Sequence, residues 1–270
     1  MLANYHTHTR RCGHAAGEDR AYVETAIERG LKVLGFSDHV PMPFPDGHES
    51  NFRVPIRLLE DYVKSVLALR DEYKDQIDVR LGFEAEYYPD LFEGMLELLG
   101  PYPVDYLLLA QHFNDSGEAV YNPSMARSPA ALKRYVDMVI AGMETGRFSC
   151  VAHPDLICFE GSERVYQKEM VRLCARAREL DIPLEINILG LRMGRCYPCD
   201  RFWPLVKEQG CRVVLGSDAH DPNDVAEPEQ VRRAMAYAAR FGLTPEREIP
   251  LKRPFQAEKR RSLKEHAVSS

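Results

Sequence analysis

The chain has 270 residues, of which 45% are hydrophobic and 28% are charged, a composition typical of soluble globular proteins rather than disordered or fibrous ones. Its formal charge of -6 at pH 7 disfavours a nucleic-acid backbone as a general partner and favours small molecules. No segment approaches the roughly 18 apolar residues that cross a bilayer, and the N-terminal segment lacks the apolar stretch of a secretory signal.

Short apolar or β-branched segments alternate with segments of helical period along the chain, and this order is typical of repeated βα units with a parallel sheet. Nearly all residues in the predicted strands are apolar, which fits strands buried on both faces. The seven predicted strands are residues 2–6, 33–37, 79–85, 106–111, 150–153, 184–188 and 213–217.

The segments between these strands have the apolar spacing of amphipathic helices. In one of them Leu132, Val136 and Val139 share a face, and Ser128 before Pro129 is typical of an N-cap followed by proline. The seven predicted helices are residues 19–29, 58–73, 91–99, 129–146, 166–180, 201–209 and 228–241.

The remaining segments predict the loops and the domain boundary. Residues 41–55 and 117–128 are the two longest breaks, and both are candidate loops over a site. We interpret residues 1–255 as one barrel domain. The composition becomes charged after about Lys252, and residues 256–270 are predicted to be a frayed tail.

The seven cysteines of a chain this large indicate reduced thiols, and we therefore expect a cytoplasmic protein. Cys196 and Cys199 form a CYPC segment that would fit a redox pair or half of a zinc site. Because the sequence holds no second CxxC motif, we prefer the interpretation as loop thiols without an assigned task.

Histidines and carboxylates stand at the ends of the predicted strands. His6 and His8 alternate around Thr7, so both side chains should point to one side. The others follow in chain order: His14 in the first loop, Asp38 and His39 after the second strand, Glu84 at the end of the third, His112 after the fourth, His153 at the end of the fifth, and Asp218 with His220 after the seventh. Of nine histidines, two lie outside this pattern, His48 and His266.

Such a set of imidazoles and carboxylates predicts a metal site, since nine of these groups, the seven histidines with Glu84 and Asp218, could hold two or three ions if one carboxylate bridges. Cys12, beside His14, is interpreted as a packing residue. The pattern also bears on the fold, because an open doubly wound sheet would show the same alternation of elements but would gather its ligands at one switch point. Candidate site residues at nearly every strand end favour a closed barrel.

In the same order, these motifs resemble those of the PHP (polymerase and histidinol phosphatase) superfamily, specifically its stand-alone histidinol-phosphatase branch. The resemblance covers about residues 4 to 225 and implies a distorted seven-stranded β/α barrel. It rests on HTHTRRCGH at 6–14, FSDHVPMP at 36–43, GFEAEYYP at 82–89, QHF at 111–113, AHPDL at 152–156, NILGLR at 187–192 and GSDAH at 216–220.

The resemblance also implies how the metals are divided. His6, His8, Glu84 and Asp218 would surround the first metal, Glu84 would bridge to a second held by His112 and His153, and His14, His39 and His220 would hold the third. Zinc, manganese and iron all accept this ligand set. Such ions lower the pKa of a bridging water and clamp a phosphate, so that hydroxide attacks phosphorus in line with the leaving oxygen.

A phosphate needs fixed positive charge beyond the metals, and arginine suits it best. Arg192, which follows the sixth strand, is the first candidate for phosphate binding, and Arg53 is the second. The predicted catalytic residues are Glu84, Asp218, His153 and Arg192. A plain surface arginine is the alternative for both. Glu86 or Asp115 would suit the imidazole and ammonium groups of histidinol, and Asp38 would orient a neighbouring imidazole or cap a turn.

The function implied is a metal-dependent phosphomonoesterase that hydrolyses L-histidinol phosphate, a step of histidine biosynthesis. One alternative is a PHP phosphoesterase for another small ester, such as a nucleotide or sugar phosphate. Another is a binding or regulatory module that has lost catalysis, which the intact set of nine ligands disfavours. The sequence offers no GxSxG elbow or P-loop lysine for a different mechanism.

Overall fold

The computed structural model describes residues 1–118, 121–122 and 126–255. The tail predicted at 256–270 lies outside the described residues, as do five residues of the loop predicted at 117–128. In the described ranges, no helix combines the length and the apolar character needed to cross a membrane.

Seven parallel strands follow one another around a single sheet in chain order. They are Ala3–Asn4 (β1), Val33–His39 (β2), Asp78–Ala85 (β3), Tyr106–Leu109 (β4), Cys150–Val151 (β5), Leu184–Asn187 (β6) and Val213–Gly216 (β7). Each overlaps a predicted strand with somewhat different bounds, and β1 and β5 have only two residues each. The prediction of a distorted, seven-stranded α/β barrel is confirmed.

The seam between β7 and the N-terminal strand explains the distortion. Thr7 and Ala219 form an isolated parallel bridge beyond the strand ends. Closer to the N-terminal ends of the strands, the side chain of Asn4 takes the place of backbone pairing, since its Oδ1 accepts from Ser217 N at 2.9 Å across the seam. Its Nδ2 donates to Thr7 Oγ1 at 2.7 Å within the N-terminal segment. The barrel is therefore nearly closed, with a side chain as part of its seam.

Eight α-helices surround the sheet in the part of the chain that the structure describes. They are Asp19–Glu28 (α1), Leu59–Tyr73 (α2), Phe92–Leu99 (α3), Pro129–Glu144 (α4), Glu163–Glu179 (α5), Ile188–Met193 (α6), Trp203–Glu208 (α7) and Pro228–Arg240 (α8). Seven were predicted, and α6 was not, because six residues are too few to show a helical period. Asn187 caps α6, with its Oδ1 accepting from Gly190 N at 2.8 Å.

The interior of the barrel is filled below the strand ends. Tyr106 lies across it and donates a hydrogen bond to Tyr5 O at 2.7 Å. Glycines on β2 and β3 make room for this ring, since a Cβ at Gly35 would lie 2.3 Å from Tyr106 Oη and one at Gly82 would lie 2.4 Å from the ring. The ring of Tyr106 therefore fills this level of the barrel, and a ligand is expected at the C-terminal ends of the strands.

Candidate metal centre

The structure brings the nine predicted donor side chains together at the C-terminal ends of the strands. Glu84, at the end of β3, contacts several of them. Its Oε1 lies 2.8 Å from His153 Nε2 and 3.2 Å from His6 Nε2, and its Oε2 lies 3.0 Å from His39 Nδ1. One carboxylate thus faces imidazoles that come from three different strands.

Asp218, after β7, is the second carboxylate of this cluster. Its Oδ1 lies 3.1 Å from His8 Nε2, 3.5 Å from His6 Nε2 and 3.4 Å from His220 Nδ1. The ring of His14 lies next to that of His220, with 4.9 Å between their centroids. All these donors except His14 and His220 are buried.

Several groups of three donor atoms lie within 4.8 Å of one another, close enough to bind a common ion. Among them are His6 with His8 and Glu84, His6 with His153 and Asp218, and His8 with His39 and His220. Some residues belong to more than one of these groups, and some groups combine residues that the resemblance assigns to different metals. The donors therefore form overlapping sites rather than three separate ones.

Several histidine rings are oriented by acceptors on the side of the ring opposite to the atom that would bind the metal. A ring that donates its Nδ1–H to an acceptor presents the lone pair of Nε2 on its other side, as metal-binding histidines do. Four rings show this pattern: His6 Nδ1 is 2.8 Å from Glu185 Oε2, His112 Nδ1 is 2.7 Å from Glu86 Oε1, His14 Nδ1 is 3.0 Å from Cys12 O, and His220 Nδ1 is 3.0 Å from Asp218 O.

The same cluster leaves polar atoms without partners. Among the described residues, His6 Nε2, both ring nitrogens of His8 and Glu84 Oε2 are buried, and their close contacts with other groups of the cluster lack the geometry of a hydrogen bond. Buried polar groups are nearly always satisfied in folded proteins. The donor set therefore fits divalent cations, which would pair with these atoms.

The charges of the cluster shift the pKa values of its members. Burial raises the pKa of Glu84 and Asp218, but the surrounding histidines, of which His6 contributes most, together outweigh burial and hold both values well below the usual range. For His6, burial lowers the pKa, while Glu185 and Asp218 raise it well above the usual value. Both carboxyl groups are thus ionised at neutral pH, the state that binds a cation.

Two donors have strained backbone. The φ angles of His153 and Asp218 are 29° and 50°, in the left-handed region that non-glycine residues seldom adopt. Each such residue costs on the order of 1 kcal/mol or more. The adjacent seam at Ala219 holds Asp218 in this conformation, and such strain is concentrated at functional sites.

Six of the nine donors line a cavity of about 380 Å³: His14, His39, Glu84, His112, Asp218 and His220. Arg195 and Tyr197, from the loop after α6, line it, and Arg195 Nη1 donates to Tyr197 Oη at 2.6 Å. Phe52, Phe113 and Tyr121 also line it. The cavity therefore combines one cationic group with aromatic surfaces above the candidate metal ligands.

The structure does not bring the two predicted phosphate arginines to this cavity, whose described lining residues include Arg195 instead. Arg192, in the last turn of α6, makes two hydrogen bonds to Asp224, one of them 2.8 Å from Nη2 to Oδ2. Gly194 then ends α6 with a φ of 62°. The chain changes direction at this residue, and Arg195, which follows it, lines the cavity.

The acidic candidates for substrate groups and for orientation have partners of their own. Glu86 is buried between His112 and the other predicted arginine, Arg53. Asp38 accepts from Thr9 N at 3.1 Å and from His39 N at 3.0 Å, and its Oδ1 lies 3.4 Å from His8 Nδ1.

The cysteines are all free thiols. Cys12 is buried beside His14 and donates to Thr9 O at 3.1 Å, and its Sγ lies within 4.8 Å of donor atoms of His14 and His220. Cys196 and Cys199 are partly buried in the loop after α6.

Sequence reasoning missed two residues of β6. Glu185 accepts from His6, and Asn187 Nδ2 lies 2.9 Å from Glu185 Oε1 and 3.1 Å from Asp218 Oδ2. Both side chains are buried. The available signal was two polar residues alternating in the short strand LEIN, which puts them on one face.

The model of the PHP domain matches residues 4–188. A protein of Deinococcus radiodurans named "probable histidinol-phosphatase" is 30% identical over 234 residues, which cover 83% of this chain and 88% of that protein. The histidinol-phosphatase of Bacillus subtilis is 27% identical over 258 residues, which cover 82% of this chain and 94% of that protein.

Among solved structures, a histidinol phosphate phosphatase from Lactococcus lactis, complexed with zinc, L-histidinol and phosphate, matches with a TM-score of 0.69. It is 17% identical to this chain, and the match covers 92% of this chain and 98% of that protein. The likeness shows a common fold.

Proposed function

The chain belongs to the PHP domain family, and from this premise we propose that it is a metal-dependent phosphomonoesterase that hydrolyses L-histidinol phosphate to L-histidinol and phosphate. The observation that carries the proposal is the cluster of nine donors, six of which line a cavity that also presents an arginine. Two relatives named histidinol-phosphatase match this chain over more than four fifths of its length, at 83% and 82%.

We assign the metal-binding role to His6, His8, His14, His39, Glu84, His112, His153, Asp218 and His220. Two or three divalent ions of zinc, manganese or iron suit these ligands. When bound, such ions supply a water of near-neutral pKa and stabilise charge on the phosphoryl oxygens. Glu84 and Asp218 would offset the positive charge of the ions, because both are ionised.

Arg195 is the residue we assign to phosphate binding, in place of Arg192 and Arg53. Its guanidinium lines the cavity, and a planar fork of donors matches two phosphoryl oxygens. Tyr197 orients this group by accepting its hydrogen bond. Burial raises the pKa of Tyr197, so its hydroxyl stays protonated and can donate its own hydrogen bond to the phosphate.

The aromatic residues of the cavity suit the alcohol part of the substrate. Phe52 and Phe113 meet edge to face, with centroids 5.5 Å apart, and Tyr121 lies next to Phe113 at 5.3 Å. Aromatic faces stack on an imidazole ring and attract cations. These surfaces would bind the imidazole and ammonium groups of histidinol, since Glu86 is already paired with Arg53.

The experiment that tests the proposal is a panel of phosphate esters offered to the purified protein. The panel contains L-histidinol phosphate, ethanolamine phosphate, AMP and glucose 6-phosphate, and released inorganic phosphate is measured. We expect the highest kcat/KM for L-histidinol phosphate, and loss of all activity after treatment with a chelator. Hydrolysis of AMP without hydrolysis of L-histidinol phosphate would overturn the assignment of substrate.

A further inference from the structure

Arg53 is a buried charge outside the cavity. It lies in the loop between β2 and the short helix that begins at Ile56, and only 2% of it is exposed. An arginine stays protonated in proteins, and a buried charge without partners is strongly destabilising. The side chain has two carboxylate partners, with Nη1 2.5 Å from Glu86 Oε2 and Nε 2.7 Å from Glu118 Oε1.

The first partner connects Arg53 to the metal cluster. Glu86 is 1% exposed, and its second oxygen, Oε1, is the acceptor for His112 Nδ1 at 2.7 Å. Arg53, Glu86 and His112 therefore form one continuous chain of hydrogen bonds. Such partners fix the tautomer and orientation of a ligand histidine.

The second partner connects Arg53 to a neighbouring loop. Glu118 follows β4, and its second oxygen, Oε2, accepts from Ser50 Oγ at 2.8 Å. Ser50 and Arg53 belong to the same loop, so Glu118 holds that loop at two points. Between these points lies Phe52, whose ring centroid is 4.1 Å from that of His39 and 4.9 Å from that of His112.

We propose that Arg53 is a positioning residue with two tasks: through Glu86 it orients His112, and through Glu118 it keeps the loop in place so that Phe52 covers the histidine cluster. This inference rests on the proposed function in one respect, since it expects the covering ring to contribute to substrate binding. The two carboxylates make the tasks separable.

Three variants separate the tasks, each purified with its metals. Glu86→Gln removes the acceptor charge behind His112, and we expect metal affinity to fall about 10- to 100-fold. Glu118→Gln weakens only the loop contact; we expect unchanged metal content and kcat, a KM for L-histidinol phosphate raised several-fold, and faster hydrogen exchange in residues 40–55. The amide of Val54, which donates to His39 O at 3.2 Å, reports on this loop.

Arg53→Lys keeps the charge but cannot serve both carboxylates with a planar fork, so it should show both defects. Arg57→Gln is the matched control, because Arg57 is an exposed arginine nearby whose ion pair with Glu49 is 3.4 Å long. It should behave like the wild type. If Arg53→Lys does not fold, Glu86→Gln and Glu118→Gln still test the two halves of the proposal.

The outcomes distinguish this proposal from the proposed function. Wild-type metal affinity in Arg53→Lys and Glu86→Gln, together with wild-type hydrogen exchange in Arg53→Lys and Glu118→Gln, would overturn the role of Arg53, whatever the activity. An inactive wild type whose variants still lose metal and exchange faster would support the role of Arg53 and count against the proposed substrate.

Discussion

Replacement of Gly216 by alanine should weaken metal binding although Gly216 carries no ligand. A Cβ at this position of β7 would lie 2.0 Å from Glu185 Oε2 and 2.3 Å from its Cδ, so the carboxylate would have to move. That same Oε2 accepts the hydrogen bond from His6 Nδ1 at 2.8 Å. The methyl group would therefore remove the support behind a candidate ligand while leaving all nine donors intact.

The magnitude follows from the role of that support. Loss of the partner behind a ligand histidine lowers metal affinity about 10- to 100-fold, or about 1.4 to 2.7 kcal/mol. The fold should persist, because the displaced group is the end of a flexible side chain and alanine constrains the unfolded chain more than glycine does. Glu185→Gln should give a similar loss, and the double variant should be no worse than either single one, since both act on the same contact.

Competition with a chromogenic chelator measures the affinities, and circular dichroism during heating confirms that each variant is folded. Glu169→Gln is the control, because Glu169 is a comparably buried glutamate on α5 whose partner is Arg172. It should bind metal like the wild type. Wild-type affinity in Gly216→Ala, or losses that add in the double variant, would refute the reasoning.

Three further predictions concern the site itself. His153→Ala should abolish turnover and keep a cooperative unfolding transition, and global unfolding in circular dichroism would instead favour a structural role. Arg195→Gln should raise the inhibition constant of inorganic phosphate about 10- to 100-fold, because a hydrogen bond to a charged group contributes about 1.5–3 kcal/mol. The control Arg192→Gln should change this constant less than about twofold. Equal effects of the two substitutions would count against the assignment of Arg195. Nearby carboxylates outweigh burial and raise the pKa of His6 and His8 well above the usual value. Metal uptake by chelator-treated protein at pH 7 should therefore release protons, and the affinity of the protein for metal should fall as the pH falls. A pH-stat titration without acid release would contradict this prediction.

The fold was predictable because its signals are local. Apolar runs located all seven strands, and helical periods located seven of the eight helices found in the described ranges. The lengths of β1 and β5 were not predictable, because they depend on contacts distant in sequence. The pairing of Asn4 with Ser217 across the seam is one such contact, between residues far apart in the chain.

The site was predictable as far as strand ends define it. The nine donors follow strands, and parallel strands bring their C-terminal ends to one edge. Glu185 was missed because its task is to orient a ligand, and such a partner has no fixed spacing from the ligand in sequence. Arg195 was not a candidate from sequence, because the short helix α6 and the turn at Gly194, which set the directions of Arg192 and Arg195, have no periodic signal.

The most direct test of the account is a titration of chelator-treated protein with zinc or manganese, followed by release of phosphate from L-histidinol phosphate. The cluster of nine donors predicts no activity in the metal-free protein and a rise to a plateau at two or three ions per chain. Activity without added metal, or no activity at any metal content, would contradict it.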